Sequence, residues 1–230
     1  MSRMVIESSV REAGTDPIFR VAGEAAQRTK ELGTEAVINS TIGALMDDHG
    51  DLVAFKSVFD VLKGLPDEQI CDYAGIPGIP EFLDKVVDAC FKSYRPEGHI
   101  RAVATPGGTG AVRHAVCNYT EFGDQILIPD WYWAPYSTIA DENRRKTTTF
   151  ELFDKTGNFN MEAYKTAFAE LLKKQNRVLS ILNTPAHNPT GYSISLDEWK
   201  ELTAFYTEMA KANPDARIII LCDIAYIDFA

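Results

Sequence analysis

Val178-Leu179-Ser180-Ile181-Leu182 is a short apolar run that leads through Asn183-Thr184-Pro185-Ala186-His187 into Asn188-Pro189-Thr190-Gly191. An amphipathic stretch over residues 196–211 follows. Arg217-Ile218-Ile219-Ile220-Leu221-Cys222 then closes on Asp223-Ile224-Ala225-Tyr226. Continuous apolar strands separated by a helix suit a sheet covered on both faces. An amide and an acid thus stand just past two successive strands, where an α/β sheet keeps its binding crevice.

The same rhythm extends back towards Ile100. Strands are expected at residues 100–105, 125–129, 147–152, 178–182 and 217–222, and helices at 110–122, 161–174 and 196–211. This predicts an α/β fold: a mostly parallel mixed sheet with helices on both faces, preceded by an N-terminal helical segment. In that segment, Asp16-Pro17 supplies a cap and a first-turn proline. Ile18, Phe19, Ala22, Ala25 and Ala26 form an apolar face, and Gly33 stops the helix. Residues 37–39 read as a short extended piece. Phe55, Val58, Phe59 and Leu62 have helical spacing. Residues 71–80, rich in Gly and Pro, form a loop. A helix follows over 81–94 with Phe82, Val86, Ala89 and Cys90 inward. No repeat or low-complexity tract interrupts the 230 residues.

The net charge of −10 argues against nucleic acid and anionic membrane partners. Arg144-Arg145-Lys146, the densest basic cluster, reads as a solvated turn entering a strand. No apolar run approaches a membrane span, and Met1-Ser2-Arg3-Met4 lacks the apolar core of a signal peptide. The four cysteines are scattered, with no C-x-x-C pair, so neither a zinc site nor a disulfide framework is expected. Cys117 and Cys222 read as small core residues. A reduced, cytoplasmic setting follows.

Four stretches carry candidate chemistry. Thr105-Pro106-Gly107-Gly108-Thr109-Gly110 lies between a strand and a helix. Its glycines let a ligand approach the backbone, and the helix start favours phosphate. It is neither a Walker A loop nor a full G-x-G-x-x-G motif, and a plain tight turn is the alternative. Trp131-Tyr132-Trp133-Ala134-Pro135-Tyr136, past the next strand, would stack on a flat ligand or serve as core aromatics. Asn188 projects a donor from a stiff turn, or the stretch is an ordinary Asn-Pro turn. His187 reads as a structural histidine, with no partner that would make it a general base. Asp223 needs a cationic partner or several donors, which a protonated cofactor ring nitrogen would satisfy; otherwise it caps the next turn.

Taken in order, these motifs resemble those of the fold-type I pyridoxal-phosphate enzymes, specifically the class I aminotransferases. Thr105-Pro106-Gly107-Gly108-Thr109-Gly110-Ala111-Val112-Arg113 resembles that family's phosphate-loop stretch. His187-Asn188-Pro189-Thr190-Gly191 and Asp223-Ile224-Ala225-Tyr226 resemble its two most recognisable motifs. The resemblance implies pyridoxal 5'-phosphate as cofactor. Gly108 and Thr109 would hold its phosphate and Trp133 would stack on its ring. Trp131 competes for that role, but Trp133 brings Ala134-Pro135-Tyr136 into register. Asn188, helped by Tyr226, would bond the phenolic oxygen, and Asp223 would pair with the ring nitrogen. Trp133 and Asn188 would also meet substrate. Ile42-Gly43-Ala44 resembles the loop that touches the substrate carboxylate. Tyr73 resembles the tyrosine that reaches the phosphate held by the neighbouring subunit of a homodimer. On this pattern residues 1–50 are an N-terminal segment of the small domain and dimer arm. Residues 51–230 are the cofactor-binding large domain, incomplete at its C-terminal end.

The family's Schiff-base lysine, usually in a Ser-x-x-Lys context, is expected beyond Ala230, as is an arginine that grips the substrate carboxylate. No lysine of the chain has that context. The implied activity is amino transfer between an aspartate-like or aromatic amino acid and a 2-oxo acid. The 230 residues alone are expected to be inactive and to leave apolar surface open around Ile224, Ile227 and Phe229. The alternatives are another fold-type I chemistry, such as a β-lyase or synthase, a non-catalytic regulatory module, and a nucleotide-binding domain. The last leaves Asn188 and Asp223 without a role.

Overall fold

A computed structural model describes residues 4–7, 10, 17–41 and 43–229. The expected cap Asp16 and the loop residue Ile42 lie outside the described residues. The chain forms two compact units, Met1–Ile76 and Pro77–Ala230.

The first unit carries helices α1 (Pro17–Leu32), α2 (Lys56–Lys63) and α3 (Asp67–Cys71). Gly33, at a φ of 90°, follows α1, as its role of stop signal requires. Val58, Phe59 and Leu62 lie in α2 with Phe55 as its extended N-cap, and all four are exposed.

The second unit begins with α4 (Pro80–Phe91) and a 3₁₀ turn at Lys92–Tyr94. Phe82, Val86, Ala89 and Cys90 face outward rather than inward, and Leu83 and Val87 are half-buried instead. This helix has two apolar stripes one residue apart, and periodicity alone does not choose between them. Residues 100–105 form no strand and do not join the sheet. Val103 is exposed, and Ala104 N–H makes a single bond to the carbonyl of Pro77 at 2.7 Å. β-propensity measures fit to a pleated surface, and a strand also needs a ladder partner.

The sheet contains β1 (Gln125–Pro129), β2 (Lys146–Phe150), β3 (Arg177–Asn183) and β4 (Arg217–Asp223) in the order β2-β1-β3-β4. All four pair in parallel. The helices are α5 (Gly107–Tyr119), α6 (Pro135–Glu142), α7 (Met161–Gln175) and α8 (Leu196–Ala212). Alternate residues of β3 face opposite layers. Val178 and Leu182 join Tyr164 and Phe168 of α7 and Leu202 of α8. Leu179 and Ile181 join Val112 and Val116 of α5 and Tyr136 and Ile139 of α6. The one polar residue in that run, Ser180, is buried and accepts from Tyr164 OH at 3.1 Å. That phenol also meets Tyr206 OH at 2.7 Å, so no buried hydroxyl in the cluster is stranded.

Three further expectations are corrected. Helix α6 was hidden in the aromatic cluster, although Tyr136, Ile139 and Ala140 are buried at helical spacing. Arg145 is buried rather than solvated. Its guanidinium donates to Thr120 Oγ1 and to the carbonyls of Thr120, Cys117 and Asn143, and lies 4.6 Å from the Phe122 ring centre. Five fixed donors make arginine the basic residue best able to satisfy such a set of acceptors. Cys222 is exposed because β4 is an edge strand of the sheet and most of it is only half-buried. An unbroken Ile and Leu run reads as central strand but here lies at an edge.

Candidate active site

The sheet order places a topological switch between β1, whose chain leaves towards β2, and its other neighbour β3. In open parallel sheets the crevice outside the carboxyl ends at such a switch binds ligands. A cavity of about 230 Å³ opens there, lined by Gly108, Thr109, Trp133, Tyr136, Asn183, Asn188, Asp223, Ala225 and Tyr226. Six of the residues expected from sequence, Gly108, Thr109, Trp133, Asn188, Asp223 and Tyr226, thus share one cavity. They come from four separate stretches of chain.

Gly108 and Thr109 occupy the first turn of α5, where backbone N–H groups have no carbonyl four residues back inside the helix. The turn is tight for a visible reason. Gly107 has a φ of 67°, and a Cβ on Gly110 would come within 2.7 Å of Pro106 Cδ. Trp133 stands edge-on to Tyr136, ring centres 5.4 Å apart at 82°. Trp131, the competing aromatic, is 56% exposed and is not among the lining residues.

The Asn188 loop is fixed by its own hydrogen bonds. His187 N–H donates to the Tyr192 carbonyl at 2.8 Å and Gly191 N–H to the His187 carbonyl at 2.6 Å, with Gly191 at a φ of 74°. Both Thr184-Pro185 and Asn188-Pro189 are cis. Asn188 Nδ2 donates to Tyr226 OH at 3.2 Å, which joins the two motifs directly. His187 is buried, with Nδ1 2.9 Å from Thr190 Oγ1 and Nε2 buried without a hydrogen-bond partner among the described residues. Burial holds this ring below the ordinary histidine range, against the backbone of Trp131 and the charge of Asp223.

Asp223 ends β4. Oδ1 accepts from Ala225 N–H at 3.1 Å, so the residue does cap the next turn. Oδ2 accepts from Tyr136 OH. Two carboxylate oxygens have about four acceptor directions, so a further donor can still be met. Sequence reasoning missed Asn183, which ends β3 and is 5% exposed. Its Oδ1 accepts from Asn188 N–H at 2.6 Å and its Nδ2 donates to the Asp223 carbonyl at 3.0 Å. One amide therefore ties both motifs together. Its signal was a polar residue closing a strand of Val, Leu and Ile. Gly43 and Tyr73 belong to the first unit, both exposed.

The sequence profile described as aminotransferase class I and II matches residues 35–230. The chain belongs to this family. Aromatic-amino-acid aminotransferase of Paracoccus denitrificans is 30% identical over 84% of the chain and 47% of its own length. Mitochondrial aspartate aminotransferase of Arabidopsis thaliana is 26% identical over 96% of the chain and 50% of its own length. Among solved structures, an aminotransferase from Anaerococcus prevotii superposes with a TM-score of 0.95 at 40% identity, covering 100% of the chain and 56% of that protein. The chain therefore spans about half the length of the relatives it matches.

Members of this aminotransferase family use pyridoxal 5'-phosphate, and the chemistry of the cavity fits it. The cavity combines helix-start N–H donors suited to a phosphate, an indole at its wall, an amide with a phenol, and a carboxylate. Among the described residues, no cluster of His, Cys, Asp and Glu could hold a metal ion. No helix among them is long and apolar enough to cross a membrane.

Proposed function

We propose that this chain forms the greater part of the cofactor-binding domain of an aminotransferase that moves an amino group between an amino acid and a 2-oxo acid. The observation that carries this reading is the convergence of Asp223, Asn188, Tyr226, Trp133 and the start of α5 on one cavity. When bound, pyridoxal phosphate supplies an electron sink for breaking the bond to the substrate's α-proton and a carrier for the amino group.

The chain's own residues bind and orient. Gly108 and Thr109 hold the phosphate through first-turn N–H groups and the Thr109 hydroxyl. Trp133 stacks on the ring and, with Asn188, borders the substrate. Asn188 donates to the phenolic oxygen with Tyr226 beside it. Asp223 accepts the ring nitrogen's proton in a hydrogen bond and so favours the charged ring. No lysine lines the cavity among the described residues, which supports a non-covalent hold on the cofactor by these side chains.

The amino donor is aspartate-like or aromatic, a reading supported by the names of the matched relatives. In the whole protein, residues 1–50 serve the small domain and dimer arm, and residues 51–230 the large domain. Gly43 then approaches the substrate carboxylate, and Tyr73 reaches the phosphate held by the partner subunit of a cytoplasmic homodimer. The test is cofactor titration of Asp223→Ala. Loss of one charge-assisted hydrogen bond, about 1.5–3 kcal/mol, weakens binding by about ten- to a hundredfold. Unchanged affinity would refute the assignment of Asp223.

A further inference from the structure

Tyr136 is a residue to which neither the motifs nor the proposed mechanism gives a role. It lies in the first turn of α6 and is 1% exposed. It touches two parts of the cavity wall. Its ring stands edge-on to Trp133, and its hydroxyl donates to Asp223 Oδ2. Asp223 Oδ1 is held separately by Ala225 N–H, and the Asp223 carbonyl by Thr184 N–H and Asn183 Nδ2. The backbone of Asp223 is thus tied to β3, whereas its carboxylate is tied across the cavity to α6. Burial, then the hydrogen bond to Asp223, then the charges of Asp223 and Tyr226 push the Tyr136 phenol above its ordinary range. The hydroxyl keeps its proton and only donates.

Resting on the proposed cofactor reading, we infer that Tyr136 is a positioning residue: its hydroxyl sets the Asp223 carboxylate against the cofactor's ring nitrogen, in register with the Trp133 platform. Space filling alone would need only the ring. The hydroxyl is the part that acts through Asp223, so removing it should matter for a ligand that carries a ring nitrogen and not otherwise.

The experiment titrates the 230-residue chain and Tyr136→Phe with pyridoxal phosphate and with its carbon analogue, in which a C–H replaces the ring nitrogen. Phe keeps the ring and its contact with Trp133. The expected result is a Kd for pyridoxal phosphate about three- to tenfold higher in Tyr136→Phe, with the analogue's Kd changed less than about twofold. In an Asp223→Ala background the same substitution adds no further loss, which is the signature of action through Asp223. An equal loss for both ligands, or the same loss without Asp223, makes Tyr136 a packing residue and overturns the inference. Binding by the parent chain with no effect of Tyr136→Phe overturns the inference and leaves the cofactor reading standing. No binding of pyridoxal phosphate by the parent chain overturns the cofactor reading, and the inference with it.

Discussion

Asn183→Ala should both loosen the site and destabilise the second unit. The side chain is 5% exposed and makes two hydrogen bonds, 2.6 Å from Asn188 N–H and 3.0 Å to the Asp223 carbonyl. Truncation removes both. The Asp223 carbonyl keeps Thr184 N–H at 3.1 Å and is not stranded. The Asn188 N–H loses the only acceptor it has among the described hydrogen bonds. Two net bonds at about 1 kcal/mol each, plus about 1–2 kcal/mol for a stranded donor, sum to about 3–4 kcal/mol. At a urea slope of about 2 kcal/mol/M that lowers the midpoint by about 1.5–2 M. The three tryptophans, Trp131, Trp133 and Trp199, all lie in the second unit, so their fluorescence reports that unit alone. Asn183→Asp separates the two bonds. It keeps an acceptor for Asn188 but puts a buried carboxylate against the Asp223 carbonyl. It should be at least as damaging as Ala near neutral pH and recover partly on acidification, when a protonated carboxyl can donate again. An Asn183→Ala midpoint within about 0.3 M of the parent, where the fluorescence transition resolves differences, would refute the claim that this amide ties the two motifs.

Two other substitutions probe the surroundings. Glu198 accepts from Tyr192 OH at 2.5 Å, Phe159 N–H at 3.0 Å, and Ser195 N–H and Oγ at 2.7 Å each, and it closes a capping box at the start of α8. Burial pushes its carboxyl up, but these donors outweigh it and hold the group below its ordinary value of 4.5. A depressed folded value means that the stabilisation is present above 4.5 and lost as pH falls through the folded value. Urea midpoints at pH 7 and pH 3.5 should therefore fall further for the parent than for Glu198→Gln. Trp133→Leu should weaken pyridoxal-phosphate binding by about three- to tenfold in a fluorescence or absorbance titration, the scale of an aromatic stack. Trp131→Leu should leave it within about twofold, because an exposed indole outside the cavity gains little from the ligand.

Much of this arrangement was legible in the sequence. The start of β1, both ends of β4 within a residue, and the spans of α7 and α8 follow from apolar period. Motif order likewise marked Gly108, Thr109, Asn188, Asp223 and Tyr226, which line one cavity. What could not be read needed a partner to define it. Residues 100–105 have strand composition but no ladder. Phe82 and Val86 have helical spacing but share their helix with a second apolar stripe. Arg145 looks solvated until four acceptors from the end of α5 and the turn before β2 close around it. Asn183 and Tyr136 escaped for the same reason. Their roles lie in bonds to residues 40 and 87 positions away, and no local pattern encodes such a distance.

The central claim is that this cavity grips pyridoxal phosphate through Asp223 and Asn188 without a covalent anchor of its own. The most direct test is to add pyridoxal phosphate to the purified chain, treat one half with borohydride, and dialyse both halves. The expected result is a visible cofactor band that dialysis removes from both, and that is weakened by Asp223→Ala. A band that borohydride fixes to one lysine of the chain, or a chain with no affinity for the cofactor, would contradict it.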